Sequence, residues 1–202
     1  MKKTRSQLKR EAILDAAKRA FLEYGVHGTS MDKLAALASV SKRTVYNHFS
    51  NKEQLVLHLL SELWTQSMVD VDVDYNPKAG LREQLLHLVE AEINLVSGTE
   101  FLGLSRAAAG YYLFNEEKLQ DAMTEFPTDS TALHRWINAA MADGKLRSAD
   151  IDVAFNQLHS LVKGVCYWPQ LLGYEAGLSK EEKTRLASES VDLFLAYYQV
   201  NK

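Results

Sequence analysis

The sequence predicts an all-α protein, and three observations carry that prediction. Apolar residues recur at spacings of three and four along most of the chain. Only three prolines, Pro77, Pro127 and Pro169, interrupt its 202 residues, and the stretches between them are rich in good helix formers. Strand-like alternation occurs once, in Val69-Asp70-Val71-Asp72-Val73-Asp74, which is too short and isolated to build a sheet.

Composition narrows the class. With 47% hydrophobic and 24% charged residues, the chain is too apolar for a disordered protein and long enough to bury a core. Its one cysteine, Cys166, allows no intrachain disulfide, and Met1-Lys2-Lys3-Thr4-Arg5 leads into a charged amphipathic stretch instead of a signal core. A cytoplasmic protein is expected. No apolar run approaches the roughly 18 residues of a membrane span, so no membrane partner is expected.

Net charge is only −3, but it is unevenly spread. Residues 1–60 carry eleven Lys and Arg against five Asp and Glu, a balance of +6, which leaves −9 for the remainder. A basic amino-terminal part suits a phosphate backbone, because Lys and Arg release its condensed counterions. Charge alone fits a solvated basic end equally well, so the motif geometry decides.

Ile13, Ala16, Ala17, Ala20, Phe21 and Tyr24 repeat at helical spacing and stop at Gly25, giving a first helix with a glycine terminator. Thr29 precedes Ser30-Met31-Asp32-Lys33, and its hydroxyl is the expected cap of a second helix running to about Ala38. After the short break Ser39-Val40, Ser41 caps a third helix, Lys42 to Phe49. Leu34, Leu37 and Val40 on one side, Val45 and Phe49 on the other, and Ile13, Ala17 and Phe21 above make a three-helix core. Ser50-Asn51-Lys52-Glu53 reads as a capping box for a fourth helix.

With Val45 turned inward and steps of about 100° per residue, Arg43 and Asn47 point outward, flanked by Thr44 and Tyr46. Arg43, Thr44 and Asn47 are the candidate base contacts: Arg43 suits guanine O6 and N7, Asn47 adenine or a phosphate. Thr29, Ser30, Ser41, Lys42, Tyr46, His48 and Lys52 are the candidate phosphate contacts, which fix register without reading sequence.

From Thr29 through Leu55 the chain resembles the amino-terminal domain of TetR-family repressors, and the likeness covers roughly residues 8–58. Tyr46, Phe49 and Lys52 fall where that family has its helix-three aromatic, its core phenylalanine and its phosphate-binding lysine. Ser39 stands where the family commonly has glycine, and Arg43 where it often has a small residue. The resemblance implies a helix-turn-helix domain over 1–54, followed by a larger helical regulatory, ligand-binding and dimerisation domain over 55–202. It implies a homodimer on double-stranded DNA, released by a small-molecule effector. The alternative is a helical small-molecule carrier or enzyme with a vestigial helix-turn-helix.

Beyond residue 76, helices are expected from Pro77 to about Val96 and over 100–113, 116–125, 129–143, 150–172 and 179–199. Phe101, Leu104, Tyr111, Trp136, Phe155 and His159 are candidate ligand-lining residues. Leu158, Val162, Val165, Val191, Phe194 and Tyr198 on the last two long helices are candidate dimer contacts, with burial in the chain's own core as the competing reading.

No cofactor or metal is expected. Asp70, Asp72 and Asp74 imitate a calcium loop, but Tyr75 stands where that loop needs glycine. There is no H-E-x-x-H motif, and a lone cysteine makes no thiolate zinc cluster. Ser39-Val40-Ser41-Lys42 and Ser160-Leu161-Val162-Lys163 match S-x-x-K without its companion motifs. No glycine-rich phosphate loop is present, and no catalytic residue is nominated.

Overall fold

The computed structural model describes residues 3–69, 74–112, 116–126 and 128–200. Among them the structure is helical: α1 (Arg5–Tyr24), α2 (Met31–Leu37), α3 (Lys42–His48), α4 (Lys52–Trp64), α5 (Leu81–Val96), α6 (Thr99–Tyr112), α7 (Glu116–Met123), α8 (Ala132–Ala142), α9 (Ile151–Cys166), α10 (Trp168–Leu172) and α11 (Lys180–Tyr198). A π-helical turn, Thr65–Val69, continues α4. Extended pairing among these residues is a single bridge between Leu146 and Gln199. Pro127, Asp70 and Asp72 lie outside the described residues. No described helix is long and apolar enough to cross a membrane.

The chain forms two compact units, Met1–Glu62 with Thr99–Phe126, and Leu63–Gly98 with Pro127–Lys202. In the first, α1 starts at a capping box between Thr4 and Gln7 and stops at Gly25, whose φ of 70° suits glycine. Its inward face, Ile13, Ala16, Ala17, Ala20 and Phe21, is buried together with Leu34, Val45 and Phe49. Leu37, expected in that core, is instead exposed. α6 returns from far along the sequence to pack on α1. A Cβ at Gly103 would stand 2.5 Å from Leu22 Cδ2, and Lys18 and Glu100 form an ion pair at 2.5 Å.

The turn between α2 and α3 contains the one non-glycine residue with positive φ among those described, Ser39 at 53°. The left-handed conformation that its position implied is therefore present. The cost is on the order of 1 kcal/mol for an L-residue. Two turn hydrogen bonds hold it, from Ser39 N–H to Ala36 O and from Val40 N–H to Ala35 O.

In the second unit α5 packs on α8, α9 and α11. Leu85, Val89, Ile93, Leu133, Trp136, Ile137, Phe155 and Leu158 are fully or almost fully buried. α5 begins at Leu81, later than its expected start at Pro77, because Asn76–Ala79 forms a turn closed by Ala79 N–H to Asn76 O. The Gln84 side chain then folds back onto the Asn76 backbone at 2.7 Å. The helix expected over 150–172 is broken at Tyr167 (φ −127°, ψ −61°). Pro169 brings no N–H and would clash with the carbonyl four residues back if the helix ran on; it occupies the first turn of α10 instead. Trp64 and Trp136 are buried and Trp168 is exposed; all three tryptophans of the chain belong to this unit.

Candidate nucleic-acid interface

α3 owes its existence to Ser41, whose hydroxyl accepts from Thr44 N–H at 3.2 Å, and to the burial of Val45 and Phe49. That anchoring turns Arg43, Tyr46 and Asn47 to solvent, with Thr44 half-buried beside them. Ser41 Oγ and Thr44 Oγ1 also share a hydrogen bond of 2.8 Å, so the Thr44 hydroxyl is oriented by the cap it helps to form. A seven-residue helix presenting Arg, Tyr and Asn outward carries both the donor fork and the amide that read base edges.

Around α3, a cleft of about 490 Å³ is lined by His27, Gly28, Ser30, Asp32, Lys42, Tyr46, Asn51 and Lys52, among others. Lys52 Nζ donates to His27 O at 3.4 Å, and Ser30 is exposed at the start of α2. Lys42 forms an ion pair with Asp32 at 2.7 Å, and that carboxylate raises its pKa. His48 is half-buried, 6.5 Å from the Phe49 ring.

Three readings at this surface need correction. Thr29 is buried, and its hydroxyl donates to Gly25 O at 2.9 Å, so it has no free face for a phosphate. Ser30 is the cap of α2, accepting from Lys33 N–H at 3.1 Å. The fourth helix is likewise capped by Asn51, which accepts from Gln54 N–H at 2.7 Å, and not by Ser50. The sequence reading missed His27 and Asn51; two adjacent cap-forming residues at each helix start were the signal that misled it. Gly28 was also missed: a Cβ there would meet Tyr24 O at 2.4 Å.

Behind α3, Arg10 of α1 meets His58 of α4 at 2.7 Å, and its guanidinium lies 5.3 Å from the Phe49 ring centroid. Burial first, and then the Arg10 charge, lower the His58 pKa against the opposing pull of Glu62 and Glu125. Folded His58 is thus neutral where an unfolded chain, titrating near about 6.5, takes up a proton. The unfolded state binds more protons below that value, so stability falls as pH drops through about 6.5 toward the depressed folded pKa. Urea unfolding at about pH 7.5 and about pH 5.5 should show a smaller loss for His58→Gln than for the native chain; equal losses would refute this coupling.

The candidate ligand residues divide between the units. Phe101 and Leu104 are buried in the first, where half-buried Tyr111 borders a cleft of about 420 Å³ and accepts from Lys118 Nζ at 2.7 Å. Trp136, Phe155 and His159 belong to the second. There the His159 ring stacks on Phe155 at 5.3 Å and meets the edge of Trp64 at 6.2 Å, and His159 Nδ1 pairs with the Glu92 carboxylate. Glu92 is fully buried. It falls at helical spacing in the stripe Leu81, Leu85, Leu88, Val89, Glu92 and Val96, and an acid in that register is the signal that a site reading could have used. Cys166 is buried and its thiol pKa is pushed up to about 12 by burial, so it is not a reactive thiolate at neutral pH.

Five of the six candidate dimer contacts, Leu158, Val162, Val191, Phe194 and Tyr198, are buried inside the chain itself. They form its own core and leave no surface for a partner. Val165 is exposed, as are Val153 and Leu161 on α9 and Leu193 and Tyr197 on α11.

A helix-turn-helix with an outward-reading third helix defines the class as a DNA-binding regulator. Residues 13–59 match the profile of bacterial regulatory proteins of the tetR family, and residues 83–200 match the AefR-like transcriptional repressor C-terminal domain. A TetR family transcriptional regulator from Pseudomonas syringae pv. tomato is 36% identical, with a TM-score of 0.78 over 95% of this chain and 97% of its own. A second regulator, from Mesorhizobium loti, is 26% identical with a TM-score of 0.81, over 98% of this chain and 100% of its own. The HTH-type transcriptional regulator RutR of Escherichia coli O157:H7 is 28% identical over 70% of this chain, and the match spans 66% of RutR. The chain belongs to the TetR family of transcriptional regulators.

Proposed function

We propose that this chain is a cytoplasmic transcriptional repressor that binds a near-palindromic operator as a homodimer and leaves it when a small molecule binds the carboxy-terminal region. The division into a reading domain over 1–54 and a regulatory domain over 55–202 is part of this reading. The observation that carries it is the solvent-facing side of α3, where Arg43, Tyr46 and Asn47 stand out from buried Val45 and Phe49. Arg43, Thr44 and Asn47 read bases. Ser30, Ser41, Lys42, Tyr46, His48 and Lys52 hold the backbone, Lys42 exchanging Asp32 for a phosphate. Two copies related by a two-fold axis then require two half-sites.

The test separates reading from holding. Arg43→Ala should cost about 1–3 kcal/mol on an operator selected from random DNA and should relax preference at one base position. Lys52→Ala should weaken selected and random DNA alike and lower the salt dependence by about one unit of slope. Mobility shifts at several salt concentrations measure both. If Arg43→Ala lost the same amount on both DNAs, it would hold a phosphate and not read a base.

A further inference from the structure

The Glu92 carboxylate is 0% exposed in the interior of the second unit, and neither of its oxygens has a hydrogen bond of good geometry. Its one ion-pair partner among the described residues is His159, through Oε1; Oε2 has no hydrogen-bond partner among them. Lys163, one turn further along α9, lies over the Tyr167 and Trp168 rings, with Nζ at 4.4 and 5.6 Å from their centroids. Burial lowers its pKa against the pull of Glu92, and no ion pair joins the two among the described residues. A carboxylate held away from water with a free oxygen is costly for the apo protein, because desolvation is repaid only by donors that saturate its lone pairs. The surroundings are aromatic: Phe155 stacks on the His159 ring and Trp64 meets its edge.

We propose that Glu92 and His159 form the polar anchor of the effector site, and that the effector presents an amine to Glu92 Oε2 with an apolar or aromatic body against Trp64 and Phe155. The proposal deepens the reading of this chain as a ligand-responsive regulator and rests on it. A charged N–H donor is the partner that best repays a buried carboxylate, since charge-assisted hydrogen bonds are roughly twice as strong as neutral ones. An aromatic wall suits the same cation. A carboxylate ligand of the same shape meets like charge and is rejected.

A matched pair of probes tests this: 4-phenylbutylamine and 4-phenylbutyrate, titrated calorimetrically into the full chain without DNA. The amine should bind about ten- to a hundredfold more tightly than the acid. Glu92→Gln, close to isosteric, should remove that preference, while Lys9→Ala, an exposed position in the other unit, leaves it intact. Equal affinities for the pair on the native chain, an undetectable amine, or an unchanged preference in Glu92→Gln would each overturn the proposal; the native-chain comparison stands even if the variant folds poorly. A separate mobility shift on the operator tells the two readings apart. An amine that binds but releases no DNA leaves the site standing and sinks its regulatory role, whereas release by other molecules alone leaves the regulator and sinks the amine.

Discussion

Val165→Glu combined with Leu193→Glu should turn the protein into a monomer and lower operator affinity by a hundredfold or more, within the roughly 10²–10⁴ that tethering two binding modules contributes. The argument starts from what the last long helices do not bury. α9 and α11 pack on each other and on α5 and place Leu158, Val162, Val191, Phe194 and Tyr198 inside the chain. That leaves Val153, Leu161 and Val165 on α9 and Leu193 and Tyr197 on α11 in water, with exposures of 39–61%. Apolar groups left exposed on two helices that pack on each other are what a second copy would cover. In a two-fold dimer built on that face, two carboxylates would meet the partner's surface, where desolvation and like-charge repulsion act together. The monomer should remain folded, since both positions are already solvated. Sedimentation and circular dichroism check those two halves, and an unchanged dimer at micromolar concentration would move the interface elsewhere.

Trp136→Ala should destabilise the second unit by about 3–5 kcal/mol, the range for truncating a large buried aromatic. Trp136 is 1% exposed. Its indole N–H donates to Gln84 Oε1 at 3.2 Å, and Tyr75 meets it edge-on at 5.9 Å. Gln84 in turn holds the Asn76 turn that sets the start of α5, so the truncation removes packing and a fastening together. Trp136→Phe keeps most of the area and should cost about 1 kcal/mol for the lost hydrogen bond. Chemical denaturation measures both. A cost below about 1 kcal/mol for the alanine variant would show that the side chain borders open space that a ligand fills, as the sequence reading assigned it.

Much of the reading surface was legible before any coordinates. The three-residue and four-residue spacing of Ile13, Ala17 and Phe21, with Val45 and Phe49, places the core of the first unit, and everything outward on α3 follows by rotation. Helix starts were harder. Thr29-Ser30 and Ser50-Asn51 each offer two cap-forming residues in succession, and residue type alone does not choose between them; Thr29 is buried and bonds back to Gly25 O, four residues earlier. The break at Tyr167 was readable from Pro169 but was masked by the apolar stripe on either side. Five of the six candidate dimer contacts turn out to be buried within the chain for a general reason: a stripe that wants a partner looks the same whether another helix of the chain or another copy supplies it. The return of α6 and α7 to the amino-terminal unit rests on contacts between residues about eighty positions apart in sequence, such as Lys18 with Glu100, and no local pattern announces those.

Because Trp64, Trp136 and Trp168 all belong to the second unit, the amino-terminal reading unit contributes no indole emission. Intrinsic fluorescence is therefore a label built into one half of the molecule. Selective indole excitation would follow events beside Trp64 without dye or tag, while a fluorophore on the DNA followed α3 in the same cuvette. The two halves of a regulatory cycle become optically separable in the native chain.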